Sequence, residues 1–496
     1  MGRAVVIGSG FAGLSAACFM AREGWDVTVI EKNDQPGGRA RKLELEGYTF
    51  DMGPSWYWMP DVFDRFFEQF GKRTSDYYSL KRLDPSYGVK FSDSTIDIPA
   101  DMQELEQLFE SIEQGSAEQL RKFLKQAAFK YEVGIKRLVH KPGRSLTEFL
   151  EPELIKGIVQ MDVFNSMKTH VSKFFKDERL RSIMEFPVLF LGAKPENTPA
   201  LYSLMNHADL TLGTWYPERG MYSVVEAMFA LALELGVRFE FNQEVKSFRY
   251  DDRRITKVVG DNKEWDCEVV IGGADYHHLE QRVLSPQYRQ YSPRYWNKRT
   301  LAPSSLLFYI GVEKKLPNLH HHTLFFDEDF DHHAIEIYDD PQWPSKPLLY
   351  VSATSKTDEF VAPQGCENLV VLIPVAPDLD DTDAIRGKYF DQVIDRLEAH
   401  TGVSIRDSIV VKRSFAHRDF VADYHSFKGN AYGLANTLRQ TAVLKPSLKN
   451  KHLDNLYFTG QLTVPGPGVP PSLISGEVVA KEILKENQHH HEYSTV

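Results

Sequence analysis

The residues of this chain best suited to chemistry lie in its first forty positions. Gly8, Gly10 and Gly13 stand in GxGxxG spacing directly after the apolar run Ala4-Val5-Val6-Ile7. In a strand–turn–helix unit the first glycine permits the tight turn, the second lets backbone approach a pyrophosphate, and the third lets helix and strand pack closely. Phe11 and Ala12 open the helix, where unpaired N–H groups and a positive dipole favour an anion. A second apolar run, Val27-Thr28-Val29-Ile30, delivers Glu31 eighteen positions after Gly13. A carboxylate there accepts both ribose hydroxyls, which favours an adenosine with a free 2′-OH. Strand, turn, helix and acid together predict a dinucleotide site. Pro36-Gly37-Gly38-Arg39-Ala40 follows. Its guanidinium reaches a phosphate in one reading and sits on an ordinary turn in the other, and spacing leaves the two level. At the far end, Asn455 to Gly460 reads as a buried strand running into a Gly/Pro-rich turn, then a helix from about 472 to 485. That helix start is a second anion-stabilising site.

The elements positioning these groups follow from periodicity. Leu14, Ala17, Cys18 and Ala21 share one helical face, and Gly24 ends that helix. Strand patterns at 237–241, 244–246 and 269–275 complete the sheet begun at residue 4, so the nucleotide-binding domain is discontinuous. A helical block is inserted in it: about 101–140, broken at Gly115 with Ser116-Ala117-Glu118-Gln119 as a capping box, then 145–185. The turn at Trp215 to Met221 leads into a helix through Glu234. Runs at 305–312, 348–354, 368–377 and 408–415, with a helix near 388–400, predict a mostly antiparallel sheet in a second domain. The expected division is 1–75, 217–295 and 430–490 for the nucleotide-binding domain, 76–216 for a helical cap facing substrate and membrane, and 296–429 for a substrate-binding sheet.

Aromatic side chains crowd one stretch. Trp56-Tyr57-Trp58 precedes Phe63, Phe66, Phe67 and Phe70, which fall at i, i+3, i+4 and i+7. Core packing is the ordinary meaning; the lining of a cavity for a large apolar substrate is the other. Phe186 to Leu191 is similarly either core or a patch that dips into a membrane surface. Composition excludes more than it selects. The net charge of −11, with no basic stripe, argues against nucleic acid. Three distant cysteines suit a reducing compartment without structural disulfides. No apolar run approaches eighteen residues and no charged-then-apolar leader precedes the first strand, so a cytoplasmic, non-spanning protein is expected. The histidines at 320–322, 332–333 and 489–491 lack metal-ligand spacing and read as loop or tail residues, and no metal is expected.

Taken together, Gly8-Ser9-Gly10-Phe11-Ala12-Gly13, Glu31-Lys32, Gly37-Gly38-Arg39-Ala40, Phe50-Asp51-Met52-Gly53-Pro54-Ser55, Tyr216 to Gly220, Ala274-Asp275, Gly460 and Pro465 to Pro470 resemble the FAD-dependent bacterial carotenoid (phytoene) desaturases. That family lies within the amine oxidase-like flavoproteins, and the resemblance covers nearly the whole chain. It implies an α/β fold: a discontinuous Rossmann-like FAD-binding domain, an α+β second domain carrying a β-sheet, and a helical cap. It also implies non-covalent FAD, since no cysteine lies near Gly460. Gly8, Gly10, Phe11, Ala12 and Gly13 would meet the pyrophosphate, Glu31 and Lys32 the adenosine ribose, and Val245 the adenine. Gly38 and Arg39 would meet a phosphate or the flavin side, and Gly53, Pro54 and Ser55 the isoalloxazine ring. Asp275 and Gly460 would join the site, with Gly468, Val469, Pro470 and Ser472 at the flavin N1/O2 edge. Two departures stand out: Pro217-Glu218-Arg219-Gly220 replaces Pro-x-Gly-Gly, and Pro470-Pro471 replaces Pro-Gly.

The implied activity is desaturation of a linear C40 carotenoid, phytoene toward lycopene, by hydride transfer to flavin N5 and loss of a neighbouring proton. The alternative is a later acyclic carotenoid, as in 1-hydroxycarotenoid 3,4-desaturase; a soluble amine oxidase and a non-catalytic prenyl-binding relative are more distant rivals. The implied partners are a lipophilic carotenoid, the inner face of a membrane, and quinone or oxygen as electron acceptor. No residue is assigned as the catalytic base.

Overall fold

The computed structural model describes residues 2–145, 148, 165–192 and 194–494. Strand β1 (Arg3–Ile7) turns through the glycines into helix α1 (Phe11–Arg22), and β2 (Asp26–Ile30) returns parallel to β1. Helix α2 (Pro60–Glu68) carries proline in its first turn, where a missing N–H costs nothing. Next come β3 (Tyr87–Phe91), β4 (Thr95–Ile98), α3 (Met102–Ile112) and α4 (Ser116–Lys136). After α5 (Tyr222–Glu234) follow β5 (Arg238–Glu240), β6 (Val269–Gly272), β7 (Ser304–Val312), β8 (His322–Phe326), β9 (Leu349–Ser352) and β10 (Glu367–Val375). The chain closes with α6 (Asp383–Thr401), β11 (Ile409–Phe415), β12 (Leu456–Phe458) and α7 (Val469–Ser494).

Two sheets organise the molecule. The first has order β12-β6-β1-β2-β5, all parallel. Its central strands are buried on both faces, hence their unbroken Val/Ile runs. Helices α1 and α7 lie together against it: Ser15 Oγ donates to the Leu473 carbonyl at 2.7 Å. The second sheet has order β11-β7-β10-β9-β8-β3-β4, antiparallel except for β8 against β3. Leu306, Phe308 and Ile310 of β7 pack with Phe390, Ile394 and Leu397 of α6.

Several expectations change. Strands β3 and β4 come from the segment expected in the helical cap and extend the second sheet. The capping box at Ser116 is not made: Gly115 (φ 84°) precedes α4, and the Glu110 carboxylate accepts the N–H groups of Gly115 and Ala117 at 2.8 and 3.1 Å. His322 opens β8, and His332 and His333 lie in the helix Phe330–Tyr338, so these are not loop residues. Helix α7 begins three residues before Ser472 and runs on through 489–491. Of the helices expected at 145–185, Met167–Val171 and Glu178–Glu185 are present, while 146–147 and 149–164 lie outside the described residues. Phe63, Phe66, Phe67, Phe186 and Val188 are all at most 2% exposed, so these side chains pack the core.

Candidate functional site

Between the two sheets lies one long cavity enclosing, with its mouth, about 2340 Å³ of atom-free space. Of the residues expected to bind cofactor, all but Gly13 line it. Gly13 stands behind the turn, where a Cβ would come 2.0 Å from the Gly8 carbonyl oxygen. That approach of α1 to the turn is the reason for glycine there.

At the nucleotide end, Gly8 adopts φ +95° and donates its N–H to the Ile30 carbonyl at 2.8 Å. The first N–H groups of α1 have no intrahelical acceptor and face the cavity. Glu31, 5% exposed, accepts from Ser9 N–H and Oγ at 2.8 and 2.7 Å and from Asn33 N–H at 2.9 Å. Its remaining lone pairs suit ribose hydroxyls. Val245, Gln243 and Lys32 complete this end.

The Gly37-Gly38 turn is tied to the first glycine loop by Gly37 N–H donating to the Ser9 carbonyl at 2.9 Å, which sends Arg39 into the cavity. Its guanidinium lies over Tyr424 at 5.4 Å and donates to Ser426 Oγ at 2.8 Å, leaving Nε buried and unpartnered. Asp275 acts on it electrostatically: burial pushes the Asp275 carboxyl up to about 6 while Arg39 pulls against it. The two readings of the Gly-Gly-Arg turn thereby resolve to a cation at the cavity.

At the other end Gly53 packs so tightly that a Cβ would stand 2.1 Å from the Arg39 carbonyl oxygen. Gly460 (φ +105°) and Gly468 (φ +110°) shape the loop entering α7. Because Pro470 and Pro471 carry no N–H, the amides available beside this loop are fewer than the expected run from Gly468 to Ser472; Ser472 N–H is used by the Gly468 carbonyl at 3.0 Å. Arg219 holds the left-handed conformation (φ 69°) that glycine usually fills, with its N–H on Asp358 at 2.7 Å. Asp51 accepts the N–H groups of Met221 and Tyr222 at 2.9 and 3.1 Å, so this departure leaves the start of α5 anchored.

The far wall was not foreseen. Leu307, Leu372 and Tyr350 sit at one register position across β7, β10 and β9, and all three line the cavity. Ser305, Tyr432, Trp56, Trp58, Met59 and Met205 extend a mainly apolar lining. Beneath Trp58, whose Nε1 donates to Thr214 at 2.8 Å, lies Asp209, held by Tyr87 and Thr214 hydroxyls. Burial pushes the Asp209 carboxyl up to about 7. The signal for this wall was a lone tyrosine in a strand pattern, which also reads as core. Glu244, His278 and His425 bring ligand atoms within 4.8 Å, the one such group among the described residues. The two imidazoles stack flat at 3.8 Å and 6°, so their lone pairs run parallel and do not converge on an ion.

Comparison with known proteins agrees with this architecture. The model of the family described as flavin containing amine oxidoreductase matches residues 11–484. The chain is 44% identical to a carotenoid 3,4-desaturase of Haloarcula japonica, over 97% of this chain and 98% of that one. It is 33% identical to a zeta-carotene-forming phytoene desaturase of Myxococcus xanthus, over 97% and 94%. Among solved structures, an oxidoreductase from Methanosarcina mazei superposes with TM-score 0.61 at 13% identity, covering 97% of this chain and all of that one.

Proposed function

The chain belongs to the flavin containing amine oxidoreductase family, and we propose that it installs a 3,4 double bond in an acyclic C40 carotenoid. It is a flavin oxidoreductase acting on CH–CH bonds, a carotenoid desaturase with FAD as cofactor. The observation carrying the 3,4 assignment is the 44% identity, end to end, to the Haloarcula japonica carotenoid 3,4-desaturase. Phytoene toward lycopene is the second reading, favoured by the Myxococcus xanthus relative.

The residues present fit FAD. Arg39 Nε and Gln243 Oε1 are buried polar atoms without partners on the cavity wall, a donor for an anion and an acceptor for an adenosine. Gly8, Gly10, Phe11, Ala12 and Gly13 would cradle the pyrophosphate, with Gly38 and Arg39 above it, Glu31 and Lys32 on the ribose and Val245 on the adenine. Gly53, Pro54, Ser55, Asp275, Gly460, Gly468, Val469, Pro470 and Ser472 would enclose the flavin. Bound FAD supplies the hydride acceptor. The chain's own contribution is orientation and exclusion of water: Trp56, Trp58, Leu307 and Leu372 hold a flat apolar polyene while admitting few polar contacts.

Such a substrate resides in a bilayer, and among the described residues no helix is long and apolar enough to cross one. The proposal therefore includes transfer from the inner membrane surface to a peripherally bound enzyme, with quinone or oxygen reoxidising it. Purified holoenzyme with liposomal phytoene and, separately, a liposomal 1-hydroxylated acyclic carotene tests the assignment by product chromatography. Turnover of the hydroxylated carotene alone supports 3,4-desaturation. Turnover of phytoene alone replaces it with the second reading, and liposomes that float without the protein remove the membrane step.

A further inference from the structure

Ser55, Tyr350 and His322 form a row that starts at the cavity surface and ends inside the protein. Ser55 Oγ lies 2.9 Å from the Tyr350 hydroxyl, which lies 2.7 Å from Nδ1 of His322. Ser55 and Tyr350 line the cavity. His322 is fully buried, its ring stacked on Trp56 at 4.1 Å and 16°. A phenol has one proton. With that proton on the shorter contact, to Nδ1, the phenolic oxygen accepts from the Ser55 hydroxyl, and the row is ordered in one direction.

The far end offers an open lone pair in the resting state and releases a proton readily once one has arrived. Burial holds the His322 imidazole well below its usual range, so Nδ1 keeps its lone pair. The neighbour acting on it electrostatically is His321, itself held down to about 3 by burial, and not a carboxylate, so an arriving proton is not trapped in an ion pair. Leu307, Leu372, Trp58, Met59 and Met205 on the lining offer no acceptor.

We propose that Ser55, Tyr350 and His322 are a relay for the proton that the substrate loses as its double bond forms, an inference that rests on the desaturase reading above. One carbon gives up a hydride to the oxidised flavin. On the neighbouring carbon the C–H bond breaks, its electron pair becomes the new π bond, and its proton passes to Ser55 Oγ. The serine proton moves to the Tyr350 oxygen and the tyrosine proton to Nδ1 of His322. Serine and tyrosine are thereby restored, and neutral imidazole has become imidazolium. Water entering after product departure takes the proton back along the same row.

A bond that serves packing alone has the same geometry, so the test must read proton movement. Tyr350→Phe removes the middle hydroxyl. His322→Gln keeps an acceptor for that hydroxyl but takes no proton. Single-turnover desaturation is measured in ordinary and heavy water, on whichever carotenoid the wild type converts, alongside flavin content and histidine-selective nitrogen NMR. The relay requires a solvent isotope effect in the wild type and an unprotonated Nδ1 at His322. Both variants should keep FAD, slow by about 100-fold, as for removal of a general base, and lose the isotope effect. His322→Gln at near wild-type rate with the isotope effect intact overturns the relay, as does a protonated Nδ1 at His322. An active wild type beside active variants refutes the relay alone. A wild type converting no carotenoid refutes the desaturase reading and the relay with it.

Discussion

Gly476→Ala perturbs the cofactor site from behind, because Gly476 itself does not line the cavity but packs against Ala12, which does. Helices α1 and α7 present the two N-termini that favour anionic groups, and their separation is set where Gly476 of α7 meets α1. A Cβ at Gly476 would lie 2.4 Å from the Ala12 carbonyl oxygen, 2.6 Å from Ser15 Cβ and 2.7 Å from the Ala16 nitrogen. Ordinary contact begins near 3.4 Å, so the helices must part by about 1 Å, an overpacking cost of roughly 1–3 kcal/mol. The obstructing atoms include backbone and cannot rotate away. Alanine also gains about 1 kcal/mol over glycine in a helix interior, and the clash outweighs this. Gly387→Ala in α6 is the control, because nothing lies within 4 Å of its Cβ position and propensity alone remains. Calorimetric melting with and without excess FAD, together with FAD fluorescence titration, should give opposite signs: Gly476→Ala melts lower and binds FAD more weakly, Gly387→Ala melts higher and binds unchanged. A Gly476→Ala protein that melts at or above wild type with full affinity for FAD refutes the claim that α1–α7 packing sets the site.

Glu31→Gln leaves Ser9 and the ribose with a neutral acceptor; at about 1.5–3 kcal/mol for hydrogen bonds to a charged group, FAD affinity should fall roughly tenfold or more by fluorescence titration. Arg39→Lys should not restore the flavin content lost in Arg39→Ala, because an ammonium reproduces neither the planar contact with Tyr424 nor the fork reaching Ser426; equal flavin content in Arg39→Lys and wild type would contradict this. Burial pushes the Asp209 carboxyl up to about 7 in the folded state, above the ordinary aspartate value of about 3.9, so the folded state holds the extra proton between those values. Its contribution to stability therefore declines as pH rises from about 4 to about 7, by up to about 1.4 kcal/mol per pH unit, and is constant above. Asp209→Asn should remove that slope from melting curves recorded across this range, and an unchanged slope would show that the carboxyl ionises without cost.

The nucleotide turn was legible in the sequence because each of its demands is local. Gly8 needs a positive φ, Gly13 a bare Cα, and Glu31 a place at the end of β2, and all three are met within about thirty residues. The start of α7 was misplaced by three residues because Val469-Pro470-Pro471 forms its first turn, where prolines fit as well as in the preceding loop. Ser116 fits the cap pattern by its own side chain, while the Glu110 carboxylate that accepts the N–H groups of Gly115 and Ala117 lies six residues upstream on α3. The Ser55–Tyr350 contact joins positions 295 residues apart, and no spacing rule connects them.

The cavity wall was hidden for a further reason, which lies in β7. All nine of its residues are buried. A half-exposed strand shows its two faces as apolar and polar alternation, but here both faces are apolar and the period of two carries no visible contrast. The faces nonetheless differ: Leu306, Phe308 and Ile310 meet α6, while Leu307 and Tyr309 turn toward the FAD-binding side with Met52 and Phe50. Register alone decides which set forms the wall. Leu307 pairs with Leu372, which pairs with Tyr350, and a slip of one residue between β10 and β9 would turn the Tyr350 hydroxyl away from Ser55 and into the packing against α6. The local motif thus shapes the glycine turn at one end of the cavity, and the register of three buried strands fixes the wall across from it.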